Sequence, residues 1–231
     1  MNEPFWKEYL PVKAVDDKLG VVLGDIESHL PHGHPYKDAD KITYAHECSH
    51  GINSNIRNKY SNLGKINAFY CLQNRAIVLK EPDITLAKVA RAVPDSLRGS
   101  VYRLYLINQQ RYWNHEPLYV LDEFDSYING SVCRLDLKIE NRAESVRNMA
   151  EFNVYSICLS QLFQPDLEFK NFLIWQLERA MSIYQQSLNL GDISAATEYL
   201  NIFKTNKDAS SLRQFTREYF GEEWTKELFG F

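Results

Sequence analysis

The segment 40–58, with the sequence DKITYAHECSHGINSNIRN, decides how the chain folds. Asp40 stands at its start as a good N-cap, because a short carboxylate can accept hydrogen bonds from the first free N–H groups of a helix. Apolar and small residues then recur at helical spacing through about Asn58: Ile42, Ala45, Ser49, Ile52 and Ile56. The segment therefore predicts an amphipathic helix.

This predicted helix carries the run His46-Glu47-Cys48-Ser49-His50. Residues four apart lie above one another on the same helix face, so His46 and His50 can offer two imidazole nitrogens to one metal ion. Glu47 lies beside that ion and can take the proton of an attacking water. The pattern predicts a Zn²⁺ site with Glu47 as general base. The alternative is a pair of surface or core histidines on an ordinary helix.

A catalytic zinc site needs a third protein ligand and one open position. The metzincin pattern is excluded, because Asn53 stands where its glycine would be and Ile56 where its third histidine would be. The run also resembles that of peptide deformylases, which need an upstream cysteine ligand. Residues 1–45 contain no cysteine, and Cys71 lies downstream in a predicted strand.

The segment 122–130, DEFDSYING, offers the best carboxylate on a later helix. Glu123, Tyr127 and Gly130 share one face at i, i+4 and i+7, and Gly130 would let this helix approach the histidine helix closely. We therefore predict Glu123 as the third ligand. The alternative is a Glu123 that faces solvent. Competing ligands are Asp122, Asp125, His115 and Glu144.

The pair His46-Glu47-x-x-His50 followed by a glutamate on a later helix resembles the gluzincin group of zinc metallopeptidases, the thermolysin-like arrangement, over roughly residues 40–138. The resemblance implies a zincin-like fold of class α+β, mostly α, with a small sheet, an edge strand over a cleft and a helical C-terminal half. It also implies Glu47 as the base and Glu123 as the third ligand. Two features depart from the group's pattern: Glu123 lies 73 positions after His50, a longer gap than in the best-known members, and Tyr127 stands where many members carry an aspartate.

The expected activity is hydrolysis of peptide bonds in a protein or peptide substrate by a metal-activated water. Such enzymes need a donor to the oxyanion, and Tyr127 is the predicted one. Tyr112, His115 and Tyr119 are further candidates. Two other functions remain open: a non-catalytic, zinc-stabilised interaction domain that binds through residues 141–231, and a zinc hydrolase of a non-peptide amide.

Several residues near the motif have both a structural and a functional interpretation. The cluster His29, His32 and His34 can line the cleft or bind a second metal, although solvated histidines in a broken loop are the simpler interpretation. Asn53 and Arg57 can support a metal ligand or a carboxylate, or simply be solvated. Cys48 points away from the histidine pair and is expected in the core.

The rest of the chain predicts a small sheet followed by helices. Residues 19–24 predict a short buried strand and residues 66–80 a hairpin, whose edge can bind an extended substrate or be purely structural. Helical segments are expected at 82–93, 94–113, 117–138 and from 141 to the end. Their later starts are predicted at Asp166, at Asp192 or Ser194, and at Ser210.

The composition is that of an ordinary globular protein: 231 residues, 45% hydrophobic and 24% charged. We expect one domain over 1–231, with a sheet-containing lobe at 1–80 and a helical lobe at 81–231. A net charge of −4 without a basic run argues against nucleic acid, and no apolar stretch is long enough for a membrane span. The N-terminus lacks the pattern of a secretory signal, and the four scattered cysteines fit reduced thiols, so a cytoplasmic location is expected, with export as an effector left open.

Overall fold

A computed structural model describes residues 3–163 and 165–231. Most of these residues lie in helices, and three short strands form one antiparallel sheet. The class predicted from the sequence, α+β and mostly α, is therefore confirmed. No helix among the described residues is long and apolar enough to cross a membrane.

All three strands lie in the first 80 residues, and the elements after them are helical. The strands are β1 (Lys7–Glu8), β2 (Ile66–Tyr70) and β3 (Arg75–Lys80). The helices of the first half are α1 (Val21–His29), α2 (Lys41–Lys59), α3 (Leu86–Ala92), α4 (Gln110–Trp113) and α5 (Tyr119–Asp136). Those of the second half are α6 (Glu144–Gln161), α7 (Leu167–Ser187), α8 (Ser194–Thr205), α9 (Ser210–Phe220) and α10 (Glu222–Phe229).

The helix predicted from segment 40–58 is α2. The Asp40 carboxylate accepts hydrogen bonds from the backbone N–H groups of Ile42 and Thr43, at 3.4 and 3.3 Å, so the predicted N-cap is confirmed. The apolar positions of α2 are buried, and so is Cys48. Cys48 belongs to a cluster of buried core residues, which confirms the expected core position, and burial raises the pKa of its thiol to about 12.

The hairpin predicted over 66–80 is confirmed as β2 and β3, which pair from Ile66 with Lys80 to Tyr70 with Ala76. Its turn lies between Tyr70 and Arg75. Leu72, Gln73 and Asn74 all have positive φ, at 67°, 54° and 62°. Strand β1 pairs with the opposite edge of β3, so the sheet order is β1-β3-β2.

The strand predicted over 19–24 is wrong, because helix α1 begins at Val21. A short apolar run has the same pattern in a buried strand and in a buried helix. The deciding contact comes from far along the chain: Asp136 of α5 accepts a hydrogen bond from the Val22 N–H at 3.0 Å, at the first turn of α1. Helix α1 also extends through His29, which the sequence placed in a loop.

The two helices predicted over 82–113 are shorter and more broken than expected. Only α3 and α4 are α-helical there, and residues Arg103–Asn108 form a π-helix. The buried carboxylate of Glu151 explains the break, because it accepts the N–H groups of Ser100 at 2.8 Å and Val101 at 3.1 Å. A Cβ on Gly99 would collide with that carboxylate. The chain is therefore drawn inward before the π-helix begins.

The later helices follow the prediction more closely. Helix α5 lies within the predicted range 117–138, and the chain from Glu144 onward is helical with short connections. Asp166 caps α7 by accepting the Phe169 N–H at 2.8 Å, as expected. Helices α8 and α9 begin at Ser194 and Ser210.

Helices α2 and α5 cross at a close approach that the sequence anticipates. A Cβ on Gly130 would lie 3.2 Å from the carbonyl oxygen of Ile42 and 3.6 Å from the Cβ of His46. A glycine at this position of α5 therefore lets α2 come near enough for the side chains of His46 and Glu123 to meet. The main core behind this crossing joins Phe69 and Ile77 of the sheet to the helices of the C-terminal half.

Candidate metal centre

Three predicted ligand residues converge between α2 and α5. The Nε2 atoms of His46 and His50 lie 3.1 Å apart. Oε2 of Glu123 lies 3.4 Å from Nε2 of His46 and 3.5 Å from Nε2 of His50. His46 and Glu123 are buried, whereas His50 is partly exposed. This group is the one set of histidine, cysteine, aspartate and glutamate side chains among the described residues that can hold a metal ion.

The size of this triangle fits a tetrahedrally coordinated ion. Bonds of about 2.0–2.2 Å from zinc to nitrogen or oxygen place two ligand atoms of a tetrahedron about 3.3–3.6 Å apart. The two distances from Glu123, 3.4 and 3.5 Å, lie within that range, and the distance between the two histidines, 3.1 Å, lies just below it. Oε2 of Glu123, one corner of the triangle, is also buried without a hydrogen-bond partner among the described residues. Buried polar atoms of this kind are costly unless a cation or donor compensates them, so the residues fit a bound metal.

Asp122 holds the second histidine from its other side. Its Oδ1 accepts hydrogen bonds from Nδ1 of His50 and from the Asn53 amide, both at 2.8 Å, and its Oδ2 accepts one from Arg57 at 2.6 Å. A metal-ligating histidine usually donates its other ring N–H to such an acceptor, which fixes the tautomer and the ring orientation. The bond from Nδ1 leaves the Nε2 lone pair of His50 directed at His46 and Glu123.

This arrangement resolves part of what the sequence left open. Asp122 was a competitor for the third ligand, yet it supports His50 instead of joining the ligand triangle. Asn53 and Arg57 both bond the Asp122 carboxylate, so their supporting interpretation is the one observed. Arg57 is further fixed by Asn67 at 2.9 Å and by the ring of Tyr119, whose centroid lies 4.9 Å from the guanidinium carbon.

The charges at the centre shift the pKa values of its groups strongly. Burial alone would lower the pKa of His50, but the carboxylates of Glu123 and Asp122 outweigh it and hold that pKa well above 6.5. Burial would likewise raise the pKa of Glu123, but the charge of His50 and the contacts with both histidines lower it to about 2. The pKa of Asp122 is also lowered against its burial, mainly by His50 and then by Arg57. Without a metal, the centre therefore favours an imidazolium between two carboxylates.

Tyr127 lies against the first histidine, on the face of α5 that the sequence predicted. Its ring centroid is 4.3 Å from that of His46, and its hydroxyl is 2.9 Å from the hydroxyl of Tyr105. Burial raises the pKa of Tyr127 to about 12, so the hydroxyl stays protonated and able to donate at neutral pH. Sequence reasoning missed Tyr105, because its position depends on the π-helix that carries it.

Glu47 lies where two open clefts meet. The His46 cleft is lined by His46, Glu47, Tyr105, Tyr127, Arg142 and Asn148, with Ile42, Thr43, Gly130, Glu144 and Ser145. The His50 cleft is lined by His34, Pro35, Tyr36, Glu47, His50, Gly51, Ser54 and Arg57. Glu47 is half-buried and forms no hydrogen bond or ion pair with the described residues, so its carboxylate is available to a molecule in either cleft.

The remaining ligand candidates lie away from the triangle. Asp125 is turned to the other side of α5, where its Oδ1 accepts a hydrogen bond from Gln176 at 2.7 Å. Glu144 pairs with Arg142 at 2.6 Å at the wall of the His46 cleft. Of the alternative oxyanion donors, Tyr112 is exposed on α4, and Tyr119 stacks on Trp113. His115 is not part of the ligand group.

The three histidines before the motif have separate environments. His29 is buried at the end of α1, where Nε2 contacts Oδ1 of Asn74 at 2.8 Å and Nδ1 contacts the Tyr70 hydroxyl at 2.9 Å. It is therefore a structural residue, not a solvated one as the simpler interpretation had it. His32 is exposed. His34 alone reaches the site, since it lines the His50 cleft against Gly51.

The outer edge of β2 is already occupied at Tyr70. The Tyr70 N–H donates to the Asn53 side chain at 2.7 Å, and the Tyr70 carbonyl accepts from Asn129 at 2.8 Å. Two side chains thus take the places of a neighbouring strand. The backbone of Tyr70 has no free groups with which to bind an extended substrate, so at this position the hairpin is structural.

Comparisons with protein-family models, with curated proteins and with solved structures find no match to this chain.

Proposed function

We propose that the chain is a zinc-dependent metallopeptidase with a zincin-like, gluzincin-type centre formed by His46, His50 and Glu123. The observation that carries the proposal is the triangle of their ligand atoms, 3.1–3.5 Å on a side, with Glu47 at the junction of two open clefts. The order His-Glu-x-x-His on one helix and a glutamate on a later helix supports the gluzincin type.

The donor set favours zinc over harder cations. Two imidazole nitrogens and one carboxylate oxygen are the ligands of many catalytic zinc sites, whereas Mg²⁺ and Ca²⁺ prefer oxygen alone. Asp122 strengthens the assignment, because the carboxylate–histidine pair is the usual support of a zinc ligand. Three protein ligands leave a fourth position for water or substrate.

The protein groups around this position have roles that follow from their chemistry. A bound zinc ion supplies a Lewis acid that lowers the pKa of a water and polarises a carbonyl. The Glu47 carboxylate accepts the proton of the attacking water and passes it to the leaving amine nitrogen. The Tyr127 hydroxyl, held by Tyr105, donates a hydrogen bond to the carbonyl oxygen as negative charge develops there.

The substrate would lie across Glu47, with one part in the His46 cleft and the other in the His50 cleft. Side chains line both clefts. Because the backbone edge of β2 at Tyr70 is taken, strand addition at that residue cannot contribute to binding. Recognition would therefore depend on side-chain contacts to the residues that flank the scissile bond.

The test begins with metal content, measured by mass spectrometry on purified wild type and on Glu123→Ala. About one zinc per chain is expected in wild type, and much less in the variant. The second step is cleavage of a diverse peptide library, followed by mass spectrometry. Glu47→Gln should keep its zinc and lose cleavage, while Glu198→Gln, at an exposed position of α8, should behave as wild type.

Each outcome separates the candidate functions. Cleavage by Glu47→Gln at near the wild-type rate would contradict the mechanism. Zinc binding with inert peptides and hydrolysis of small amides would favour an amide hydrolase. Zinc-dependent thermal stability without any hydrolysis would favour the non-catalytic interaction domain.

A further inference from the structure

A cavity separate from the two clefts of the metal centre lies beside the turn of the hairpin. Its volume is about 400 Å³, within the range of sites for small molecules. Its apolar wall consists of valine and leucine side chains: Val15, Val21, Val22, Leu72 and Val132. Its polar wall contains Arg75 and Arg179, and none of its lining residues borders the His46 or His50 cleft.

The two arginines of this cavity contact the same aromatic ring. Both guanidinium groups lie over the ring of Trp175, at 5.3 Å for Arg75 and 5.1 Å for Arg179. Burial lowers the pKa of Arg179; the charge of Asp125 opposes this lowering, and the positive charge of Arg75 adds to it. Two like charges that share one aromatic ring repel each other unless an anion lies near both.

Neither arginine has an ionic partner within 4.0 Å among the described residues. Arg75 donates to the amide oxygen of Gln73 at 3.3 Å, and Arg179 to that of Asn129 at 3.1 Å. In each case the acceptor is neutral. One nitrogen of each guanidinium, Nε of Arg75 and Nη1 of Arg179, is buried without a hydrogen-bond partner. Cations in such a position are normally paired.

Asp25 and Asp125 lie in this region, but neither carboxylate comes within 4.0 Å of a guanidinium nitrogen of Arg75 or Arg179, and each accepts hydrogen bonds from neutral groups. Oδ2 of Asp25, which lines the cavity, accepts the Tyr70 hydroxyl at 2.8 Å and the Gln73 N–H at 3.1 Å. Oδ1 of Asp125 accepts a hydrogen bond from Gln176. The polar wall therefore has an excess of positive charge.

We propose that this cavity binds a carboxylate carried on an aliphatic chain. The carboxylate would lie between the guanidinium groups of Arg75 and Arg179, whose planar N–H groups match its two oxygens. The aliphatic chain would lie against the valines and Leu72, where it removes apolar surface from water. A free fatty acid and a polypeptide C-terminus that ends in an aliphatic residue share this chemistry.

Isothermal titration calorimetry with octanoate tests the proposal on the full chain. Octanol keeps the aliphatic chain without the charge, and acetate keeps the charge without the chain. Octanoate should bind saturably, at least tenfold tighter than either control. Equal binding of octanoate and octanol, or no saturable binding of octanoate at millimolar concentration, would overturn it. This comparison uses wild type alone, so it stands even if a variant fails to fold.

Arginine variants locate the site. Arg179→Gln and Arg75→Gln should each weaken octanoate binding at least tenfold. Arg111→Gln is the matched control, because Arg111 also lies over an aromatic ring, that of Tyr112 at 4.6 Å, but is exposed and away from the cavity. Unchanged binding in both cavity variants, with the fold checked by circular dichroism, would remove this cavity from consideration.

A competition experiment distinguishes the two sources of the ligand. A short peptide with a free C-terminal leucine is compared with the same peptide amidated at its end. Displacement of octanoate by the free acid alone assigns the cavity to polypeptide C-termini, and displacement by neither assigns it to free aliphatic acids. Equal displacement by both peptides would contradict a role for the carboxylate.

Discussion

Oδ1 of Asp122 and Nδ1 of His50 are joined by a hydrogen bond of 2.8 Å, and Asp122 directly precedes the proposed ligand Glu123. Neighbouring residues on a helix diverge by about 100°. One turn of α5 therefore reaches the metal centre from two directions, with Glu123 in the triangle and Asp122 behind His50. The orientation of the His50 ring thus depends on the same helix that supplies the third proposed ligand.

Replacing Asp122 by asparagine should weaken zinc binding about 10–100-fold, the usual cost of losing such a support. The neutral side chain is a poorer acceptor for the His50 ring and leaves the Arg57 charge without its partner. Affinity is measured by competition with a chelator of known strength. Asp83→Asn, at an exposed position, serves as control. Equal affinity in all three proteins would show that His50 needs no support from Asp122.

Zinc binding near pH 7 should release about one proton from wild type, because metal ligands must be deprotonated. His50 is the source, since its pKa in the metal-free chain is held well above 6.5. Calorimetry in buffers of different ionisation enthalpy gives the number of protons. A count of zero at pH 7 would show that His50 is already neutral before the metal arrives.

The same shifts predict how the metal-free fold responds to pH. A raised histidine pKa stabilises the fold below the unfolded value of about 6.5, and this contribution is lost as pH rises through the folded value. A lowered carboxyl pKa, as for Glu123, stabilises the fold at pH values above the unfolded-state pKa of about 4.3. This contribution is lost as the pH falls toward the folded-state pKa of about 2. In a chelator, the melting temperature should therefore be highest between about pH 4.5 and 6.5. A melting temperature that rises steadily from pH 6 to pH 9 would contradict the charged pairing.

Variants of Tyr127 and Tyr105 should separate an effect on catalysis from an effect on substrate binding. If Tyr127 donates to the developing oxyanion, Tyr127→Phe lowers kcat by about 100-fold or more, with little change in KM or zinc content. Tyr105→Phe removes only the partner of that hydroxyl and should lower kcat less. Steady-state kinetics on a cleaved library peptide measures both. A larger loss in Tyr105→Phe than in Tyr127→Phe would assign the donor to Tyr105.

The helix crossing should be sensitive to volume at position 130. Gly130→Val places a branched side chain where even a Cβ would lie 3.2 Å from the carbonyl oxygen of Ile42. Overpacking of this kind typically costs about 1–3 kcal/mol of unfolding free energy, and here it also separates His46 from Glu123. Chemical denaturation and zinc titration measure the two effects. Ala195→Val on the exposed face of α8 is the control, and equal zinc affinity in both variants would show that α5 can move without opening the site.

The sequence predicted the histidine pair and its helix well, because both depend on residues within one helix. The Asp40 cap, the period of α2 and the spacing of His46 and His50 all depend on neighbouring residues. Helical periodicity also predicted the range of α5 and placed Gly130 on the face where α5 crosses α2. Sequence reasoning could therefore place Glu123 on the face that meets α2.

Features that depend on distant contacts could not be predicted in this way. Helix α1 is capped by Asp136, and the π-helix with Tyr105 follows a loop fixed by Glu151. Asp122 was noticed only as a competing ligand, because its supporting role appears once Asn53 and Arg57 are seen on the same carboxylate. A carboxylate next to a predicted ligand, with an arginine two helical turns beyond a histidine, is a signal that sequence reasoning can use elsewhere.

The separation of the ligands along the chain has a thermodynamic consequence for folding. The 72 residues between His50 and Glu123 form one long segment whose ends an ion held by both side chains would join. An ion that binds only the folded chain would oppose unfolding by mass action, because the chain must release it before it unfolds. A bound ion would therefore be a reversible link between α2 and α5 as well as a place for chemistry.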